Sequence, residues 1–211
     1  MNLKNSLLCL VLTGMSIVSG CKTTPTQEYL ARTIVPNPNR WEQLNANPPE
    51  NEEGIRNFLN NSIRYGREIG EVWMSPKVSV TRGYGDCDDR GFLGAYLAGR
   101  IGYPRKIIAV AEKGGSEFNG GHVFTLLEKR ENNETKYGLV DNAVLAYPIF
   151  DSVSELIQTL NCEYRKTNPG HKRWNYYKIV DVDSCFPEDW TTTEEDLYRE
   201  DIKFGGYVKV E

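Results

Sequence analysis

One cysteine of this chain lies where a helix is expected to begin. Cys87 stands in the run 85–89 (Gly-Asp-Cys-Asp-Asp), and an apolar helical face starts at Phe92. The partial positive charge at the start of a helix stabilises a thiolate, which is the reactive form of a cysteine nucleophile. The three carboxylates around it oppose thiolate formation, so a nearby imidazolium would have to supply much of the activation.

The sequence contains two histidines that could supply this group. His122 stands at the start of a strand-like segment, after Gly120 and Gly121, where glycines leave the approach to its ring uncrowded. His171 lies in a polar segment that is typical of a loop. A single histidine beside a strand is often structural, so its residue type alone leaves His122 divided between a general base and a packing role.

A third group is needed to hold the imidazole in one tautomer. Asp141 ends the strand-like segment 137–140 and is followed by Asn142. A carboxylate in this position, beside the strand of His122, can reach the ring nitrogen that faces away from the thiol. The alternative interpretation is an Asp-Asn turn, which is common where strands end. Together these residues predict a candidate triad of Cys87, His122 and Asp141.

The segments that carry the triad resemble those of transglutaminase-like domains. The residues around Cys87, followed by an apolar helix that ends at 102–104 (Gly-Tyr-Pro), are similar to the nucleophile segment of that family. Gly-Gly-His122-Val-Phe and Leu-Val-Asp141-Asn then follow in the order of the family's His and Asp strands.

The resemblance is closest to the bacterial transglutaminase-like cysteine peptidases, and it extends upstream of the nucleophile. The upstream matches are Asn60-x-x-Ile63-x-Tyr65 and Trp73-x-x-Pro76. The similarity covers roughly residues 55–150.

The resemblance implies a papain-like acyl-enzyme mechanism. His122 would take the thiol proton, Cys87 would attack an amide or ester carbonyl, and water or an amine would release the acyl group. Asp141 would orient His122, and the Cys87 backbone N–H with the side chain of Asn60 would hold the oxyanion. An exposed helical asparagine is the alternative interpretation of Asn60. A peptidase-like hydrolase is therefore expected, with a transglutaminase-type acyl transferase and a catalytically silent binding domain as alternatives.

The acids beside the nucleophile give one cofactor expectation. Some peptidases of the resembled group bind calcium through acidic residues that flank the nucleophile, and Asp86 and Asp88 occupy those positions here. Carboxylate oxygens suit a hard cation, and calcium would offset the charge that opposes the thiolate. The alternative is simple helix capping, since Asp86 is a good N-cap and Asp88 and Asp89 favour the first turn. The chemistry itself requires no cofactor.

The order of the elements predicts a single α+β domain. The resemblance implies its papain-like or transglutaminase-like form, with the nucleophile helix packed on an antiparallel β-sheet. Helical spacing predicts amphipathic helices over 50–65 and 152–160, while 73–80 is ambiguous because a proline precedes the β-prone Val-Ser-Val. The strand-like segments are 106–111, 122–128, 136–140, 146–150, 176–182 and 206–210.

The first twenty residues are typical of a lipoprotein signal peptide. Lys4 precedes the apolar run 7–18, which is too short and too interrupted to stay in a bilayer as a spanning helix. The run ends in Val-Ser-Gly-Cys21, which resembles the bacterial lipobox, where cleavage precedes the cysteine and its sulfur is acylated. Ordinary secretion with cleavage nearby is the alternative.

The expected organisation follows from this signal. Residues 1–20 are the signal, residues 21–50 hold the lipidated cysteine, a tether and an irregular N-terminal wrap, and residues 51–211 form the transglutaminase-like domain with an unassigned C-terminal extension. The expected location is a membrane, through the lipid anchor. Lys22 favours the periplasmic face of the outer membrane if the source is Gram-negative, because inner-membrane retention usually goes with Asp at that position.

Composition and cysteine usage exclude several classes of function. The 191 residues after the signal and the 11% of aromatic residues indicate one domain with a hydrophobic core. The sequence contains no Lys/Arg run, so it does not indicate a nucleic-acid partner. Cys162 and Cys185 could pair in an oxidising compartment, which would leave Cys87 as the odd thiol. There is no C-x-x-C, so a zinc site is poorly supported. The expected partner is a protein or peptide substrate in the cell envelope.

Overall fold

The computed structural model describes residues 36–66, 73–112, 121–141, 144–167, 169–170, 172–184 and 208–211. Helices and strands alternate irregularly along this part of the chain. In chain order the elements are α1 Asn39–Ala46, α2 Glu52–Ser62, β1 Arg64–Tyr65, α3 Pro76–Arg82, β2 Tyr84–Gly85, α4 Cys87–Arg100, β3 Lys106–Ala111, β4 His122–Glu131, β5 Glu134–Val140, β6 Leu145–Phe150, α5 Val153–Thr167, β7 Tyr176–Asp181 and β8 Val208–Lys209.

Six of the strands form one sheet in the order β6-β5-β4-β3-β7-β8, and each pair of neighbours is antiparallel. The two short strands β1 and β2 pair in parallel beside it. The α+β class with an antiparallel sheet is therefore confirmed. Strand β7 lies between β3 and β8, so residues 176–181 form an inner strand of the sheet.

The sheet has a hydrophobic core on each face. Side chains alternate along a strand, so Ile107 and Val123 pack with buried residues of α4, whereas Ile108 and Phe124 pack with buried residues of α5. The helices α1 and α2 also contribute to the first core, through residues such as Leu44 and Leu59. The fold is thus three layers, with the sheet in the middle.

Helix α4, which begins with Cys87, lies close to strand β4. A Cβ on Gly91 would come within 2.7 Å of Val123 Cγ1, and a Cβ on Gly94 would overlap Thr125 Oγ1. The short distance allows a hydrogen bond between the two elements, in which the Thr125 hydroxyl donates to the carbonyl of Gly91 at 3.1 Å. Gly91 contacts Val123, and the later residue Gly94 contacts the later residue Thr125. Residue numbers therefore increase in the same direction along α4 and β4, so the helix and the strand run in parallel.

Two segments differ from the sequence-based expectation. Residues 39–46 were expected within an irregular wrap, but they form α1, because Leu44 is buried in the core and Trp41 packs beside it. The ambiguous segment 73–80 becomes the start of α3. Its β-prone residues are helical because Ser75 caps the helix and Pro76 occupies its first position, where a missing N–H costs nothing.

Some expectations fall outside the described residues. These include the signal peptide at 1–20, the lipidated Cys21 and most of the predicted strand 206–210. Within the described ranges, no helix combines the length and the apolar character needed to cross a bilayer.

We predict that Gly94→Ala destabilises the fold. The added methyl group meets Thr125 Oγ1, so either the helix moves off β4 or Thr125 loses its bond to Gly91. Overpacking of this kind typically costs about 1–3 kcal/mol in the free energy of unfolding, which urea denaturation would measure.

Gly99→Ala on the same helix is the matched control. The nearest atoms to a Cβ there belong to the side chain of Arg105, which can move more easily than the hydrogen-bonded Thr125, so the change should cost less than Gly94→Ala. The double variant Gly94→Ala/Thr125→Ala should recover part of the loss. Equal effects of the two alanine substitutions would contradict the close-packing explanation.

Candidate active site

His122 and Asp141 are brought together by the pairing of β4 with β5. His122 is the first residue of β4, and Asp141 follows the last residue of β5. Because Thr125 lies opposite Val140 in this antiparallel pair, the start of one strand lies beside the end of the other. His122 Nε2 is 2.9 Å from Asp141 Oδ2. The structure therefore places two members of the predicted triad in hydrogen-bonding contact.

The Asp141 carboxylate is held in one orientation. Its side chain is buried, and its Oδ1 accepts the backbone N–H of Val144 at 2.9 Å. An ionised carboxylate can only accept hydrogen bonds, so His122 Nε2 must be the donor. This tautomer, inferred from the hydrogen-bond partners, leaves Nδ1 as the ring nitrogen that can take a proton from a thiol.

Cys87 is the first residue of α4, and its side chain is buried. Asp86 is the N-cap, as the sequence predicted, and its backbone N–H donates to Asp89 Oδ2 at 3.0 Å in a capping box. The other oxygen of Asp89 accepts the backbone N–H of Met74 at 2.7 Å. Asp89 is fully buried, so it serves to hold the turn that carries the nucleophile.

Cys87 and His122 lie at the same end of the α4–β4 pair. Gly91 contacts Val123, Cys87 is one helical turn before Gly91, and His122 is one residue before Val123. Helix and strand run in the same direction, so the start of each lies at one edge of the layer. The packing of α4 on β4 thus gathers the three triad residues in one region.

The acids beside Cys87 form a small cluster. One side-chain ligand atom from each of Asp86, Cys87 and Asp88 lies within 4.8 Å of the other two. Burial raises the pKa of Asp88 well above its usual range, and the charge of Asp86 and a hydrogen bond to it raise the pKa further. Two ionised carboxylates at this spacing repel each other, and a proton or a bound cation relieves the repulsion.

Arg90 is a buried cation that sequence reasoning missed. Its side chain is 3% exposed, its Nη2 donates to the carbonyl of Ile63, and its guanidinium lies 5.1 Å from the centre of the Tyr65 ring. Its Nε and Nη1 have no hydrogen-bond partner among the described residues. Burial lowers the pKa of Arg90, and the charge of Asp141 opposes that shift. The available signal was an arginine three positions after the nucleophile, on the helix face that is otherwise apolar.

Aromatic side chains contact the His122 ring. Phe124 meets it edge-on, with ring centres 4.4 Å apart, and Trp174 lies nearly parallel to it at 6.3 Å and 13°. Trp174 precedes β7 and reaches this place because Tyr177 and His122 lie opposite the same residue of β3, Val110. No motif of the sequence connects Trp174 with His122, since they meet only through the pairing of distant strands.

Asn60, the predicted oxyanion residue, is exposed in the last turn of α2. The parallel pairing of Arg64 with Tyr84 brings the end of α2 close to the nucleophile turn. A role for Asn60 beside Cys87 stays a prediction.

Of the remaining predicted residues, only Cys162 lies in the part of the chain that the structure describes. Cys162 is exposed on α5, while His171 and Cys185 lie outside the described residues. The disulfide between Cys162 and Cys185 therefore stays a prediction, as does the lipidation of Cys21.

Comparison with known proteins gives a distant structural similarity. No family model matches the chain, and no curated protein matches its sequence. Three structures of LapG from Legionella pneumophila are similar to it. The calcium-bound structure is 19% identical, with a TM-score of 0.39 over 57% of this chain and 74% of that one. A second LapG structure and its EGTA-treated form are each 16% identical over 75% of this chain, with TM-scores of 0.42 and 0.41 over 85% and 82% of those chains.

Proposed function

We propose that this chain is a cysteine hydrolase of the peptidase type, related to the transglutaminase-like cysteine peptidases. The observation that carries the proposal is the 2.9 Å contact between His122 Nε2 and Asp141 Oδ2, at the end of the sheet where α4 begins with Cys87. An oriented His–Asp pair at the same end of the helix–strand layer as a cysteine at a helix start is the arrangement of an activated thiol nucleophile. The proposed substrate is a protein or peptide.

The proposed reaction proceeds through an acyl-enzyme. His122 Nδ1 takes the proton of Cys87, whose sulfur forms a bond to the substrate carbonyl carbon and gives a tetrahedral oxyanion. The imidazolium returns the proton to the leaving nitrogen as the carbon–nitrogen bond breaks, and a thioester remains. Water then attacks the thioester, His122 accepts its proton, and the carbon–sulfur bond breaks to release the acid and restore the thiol. The Cys87 backbone N–H, which lies at the start of α4, and the side chain of Asn60 are the proposed oxyanion donors.

Two other functions use the same region. In an acyl transferase an amine replaces water in the second half of the reaction, and the triad is unchanged. A catalytically silent binding domain needs none of this chemistry, and the oriented His–Asp pair favours the enzyme. The partition of the acyl group between water and amines separates hydrolase from transferase.

We predict that iodoacetamide alkylates Cys87 at least about tenfold faster than Cys162 in the reduced protein at neutral pH. His122→Ala should remove this difference, because the thiol loses its proton acceptor. Asp141→Asn should also slow alkylation, since an amide N–H facing Nε2 would move the imidazole proton to Nδ1. Peptide mapping by mass spectrometry measures both rates in one sample.

The same variants test catalysis directly. With the activated ester p-nitrophenyl acetate, the wild type should acetylate Cys87 and release acetate, whereas His122→Ala should not; His171→Ala is the matched control. Adding glycinamide distinguishes the enzymes, because a transferase forms the acetylated amine and a hydrolase forms acetate. Equal alkylation of Cys87 and Cys162 in the wild type would contradict the proposed nucleophile.

We further propose that Asp86 and Asp88 hold a calcium ion. Their carboxylate oxygens have the hard character that calcium prefers, and backbone carbonyls or waters would complete its coordination. The sulfur of Cys87 is a soft ligand that does not suit this ion. Bound calcium would supply positive charge that relieves the repulsion between the two acids beside the nucleophile.

Thermal unfolding tests the calcium proposal. Calcium should raise the melting temperature of the wild type and EGTA should reverse the rise, because a ligand that binds only the folded state stabilises it. Asp88→Asn should abolish the response, while Glu134→Gln at the far end of β5 should keep it. A melting temperature that is the same in calcium and in EGTA would exclude the site.

The proposed cellular setting is the bacterial envelope, with the chain anchored through lipid on Cys21. If this is right, the wild type expressed in a bacterial host should incorporate radiolabelled palmitate and sediment with membranes. Cys21→Ala should do neither, because it lacks the acylated sulfur. A soluble, unlabelled wild-type chain would contradict the anchor and favour ordinary secretion.

A further inference from the structure

We propose that Trp174 is a positioning residue for the catalytic imidazole, so that the C-terminal part of the chain sets the geometry of the active site. The inference rests on the proposed function, since it assigns His122 as the proton acceptor. Trp174 acts through His122 and does not itself touch the reacting atoms.

The bond to Asp141 alone does not fix the His122 ring. It holds one ring atom, Nε2, at 2.9 Å, and the ring plane can still tilt about that point. The indole of Trp174 lies within 13° of the ring plane at 6.3 Å, which is an offset-stacked arrangement, and the edge-on contact of Phe124 limits tilting further. Together these contacts fix the direction in which the Nδ1 atom of His122 points.

Trp174 is itself held from several sides. Asn161 on α5 clamps its backbone, since Asn161 Oδ1 accepts the Trp174 N–H and Asn161 Nδ2 donates to the Trp174 carbonyl, both at 2.9 Å. The edges of Phe124 and Tyr164 meet the indole at 5.6 and 4.9 Å. Trp174 is 5% exposed and Asn161 is 2% exposed. A group fixed in this way can orient its neighbour without a further loss of conformational entropy.

The protonation state of Tyr164, which packs against Trp174, affects the charge around Asp141. Burial raises the pKa of Tyr164 well above its usual range, and the charge of Asp141 raises it further. Its hydroxyl therefore stays neutral through the range in which a cysteine hydrolase works. The surroundings of Asp141 on this side thus carry no second negative charge from the tyrosine.

The geometry favours orientation over charge stabilisation as the role of Trp174. Cation–π attraction is significant when the cation lies within about 6 Å of the ring centre, and the imidazole lies at 6.3 Å. A flat ring at position 174 is then the main requirement. Phenylalanine should replace tryptophan in this role, whereas leucine, which has no ring face, should not.

The test uses Trp174→Phe and Trp174→Leu, with Trp41→Leu as a control for the loss of a packed indole. Trp41 contacts Tyr96 in the second half of α4, with ring centres 5.1 Å apart, away from the start of the helix. We expect Trp174→Leu to slow alkylation of Cys87 by iodoacetamide about ten- to a hundredfold, because small errors in the placement of a catalytic group have costs of this order. Trp174→Phe should stay within about threefold of the wild type, and Trp41→Leu should leave the rate unchanged.

Nitrogen-15 NMR of the imidazoles supplies a readout that core filling alone would not move. The chain has two histidines, so His171→Gln assigns the signals of His122. The wild type and Trp174→Phe should show sharp His122 ring signals with a proton on Nε2, and Trp174→Leu should show exchange-broadened ring signals, because the ring tilts about its bond to Asp141. A nuclear Overhauser contact between the indole and the imidazole in the wild type tests the stacking without any substitution.

The outcomes separate this inference from the proposed function. If alkylation of wild-type Cys87 does not depend on His122, the proposed function fails, and the NMR signals still report whether Trp174 orders the ring. If alkylation depends on His122 but a folded Trp174→Leu keeps both the rate and the sharp His122 ring signals, the positioning role is wrong. Absence of the indole–imidazole contact in the wild type would overturn it directly, even if Trp174→Leu does not fold.

Discussion

The close approach of α4 to β4 is the constraint on which the site depends. An ordinary helix–sheet spacing leaves room for side chains between the layers, but Gly91 and Gly94 have none, and Val123 and Thr125 fill the space. The hydroxyl of Thr125 then bonds a helix carbonyl, so the short spacing is maintained by a specific contact as well as by shape. Because Cys87 begins the helix and the strand begins beside it, this spacing determines how near the thiol can come to the imidazole.

The site also requires several carboxylates to coexist around a nucleophile that works best with positive charge nearby. In the structure each of these carboxylates has a different set of hydrogen-bond partners. Asp89 is fully buried, and both of its carboxylate oxygens accept backbone N–H groups. Asp141 accepts a backbone N–H with one oxygen and contacts His122 with the other. Asp86 and Asp88 are hydrogen-bonded to each other. Arg90 adds a buried positive charge that interacts with Asp141, and its cost is a guanidinium with incomplete hydrogen bonding. The repulsion between Asp86 and Asp88 is what the proposed calcium ion would relieve.

Local signals in the sequence predicted the parts of the fold that depend on local physics. The strand 106–111, the N-cap Asp86 and the helix from Cys87 were predicted at their observed positions, because period, capping and turn chemistry act over a few residues. The helix 39–46 was missed because its amphipathic face is one buried leucine with a neighbouring tryptophan, which is too short a pattern to recognise. Arg90 and Trp174 could not be assigned, because their environments come from contacts made 27 and 52 residues away in the chain. His122 and Asp141 were proposed from order and resemblance, and their contact needed the register of β4 with β5.

The register of the sheet also shows what the segment that contains β7 contributes to the fold. From the sequence it was an extension without an assignment, but β7 pairs with β3 along six residues and cannot leave without opening the sheet. The helix α5 covers one face of that sheet, while α4 covers the other. His122 stands at the end of the middle layer, with the nucleophile helix packed on its strand from one side and Trp174 against its ring from the other. A site built in this way needs both layers of helices, so α5 and β7 belong to the same structural unit as Cys87, the proposed nucleophile.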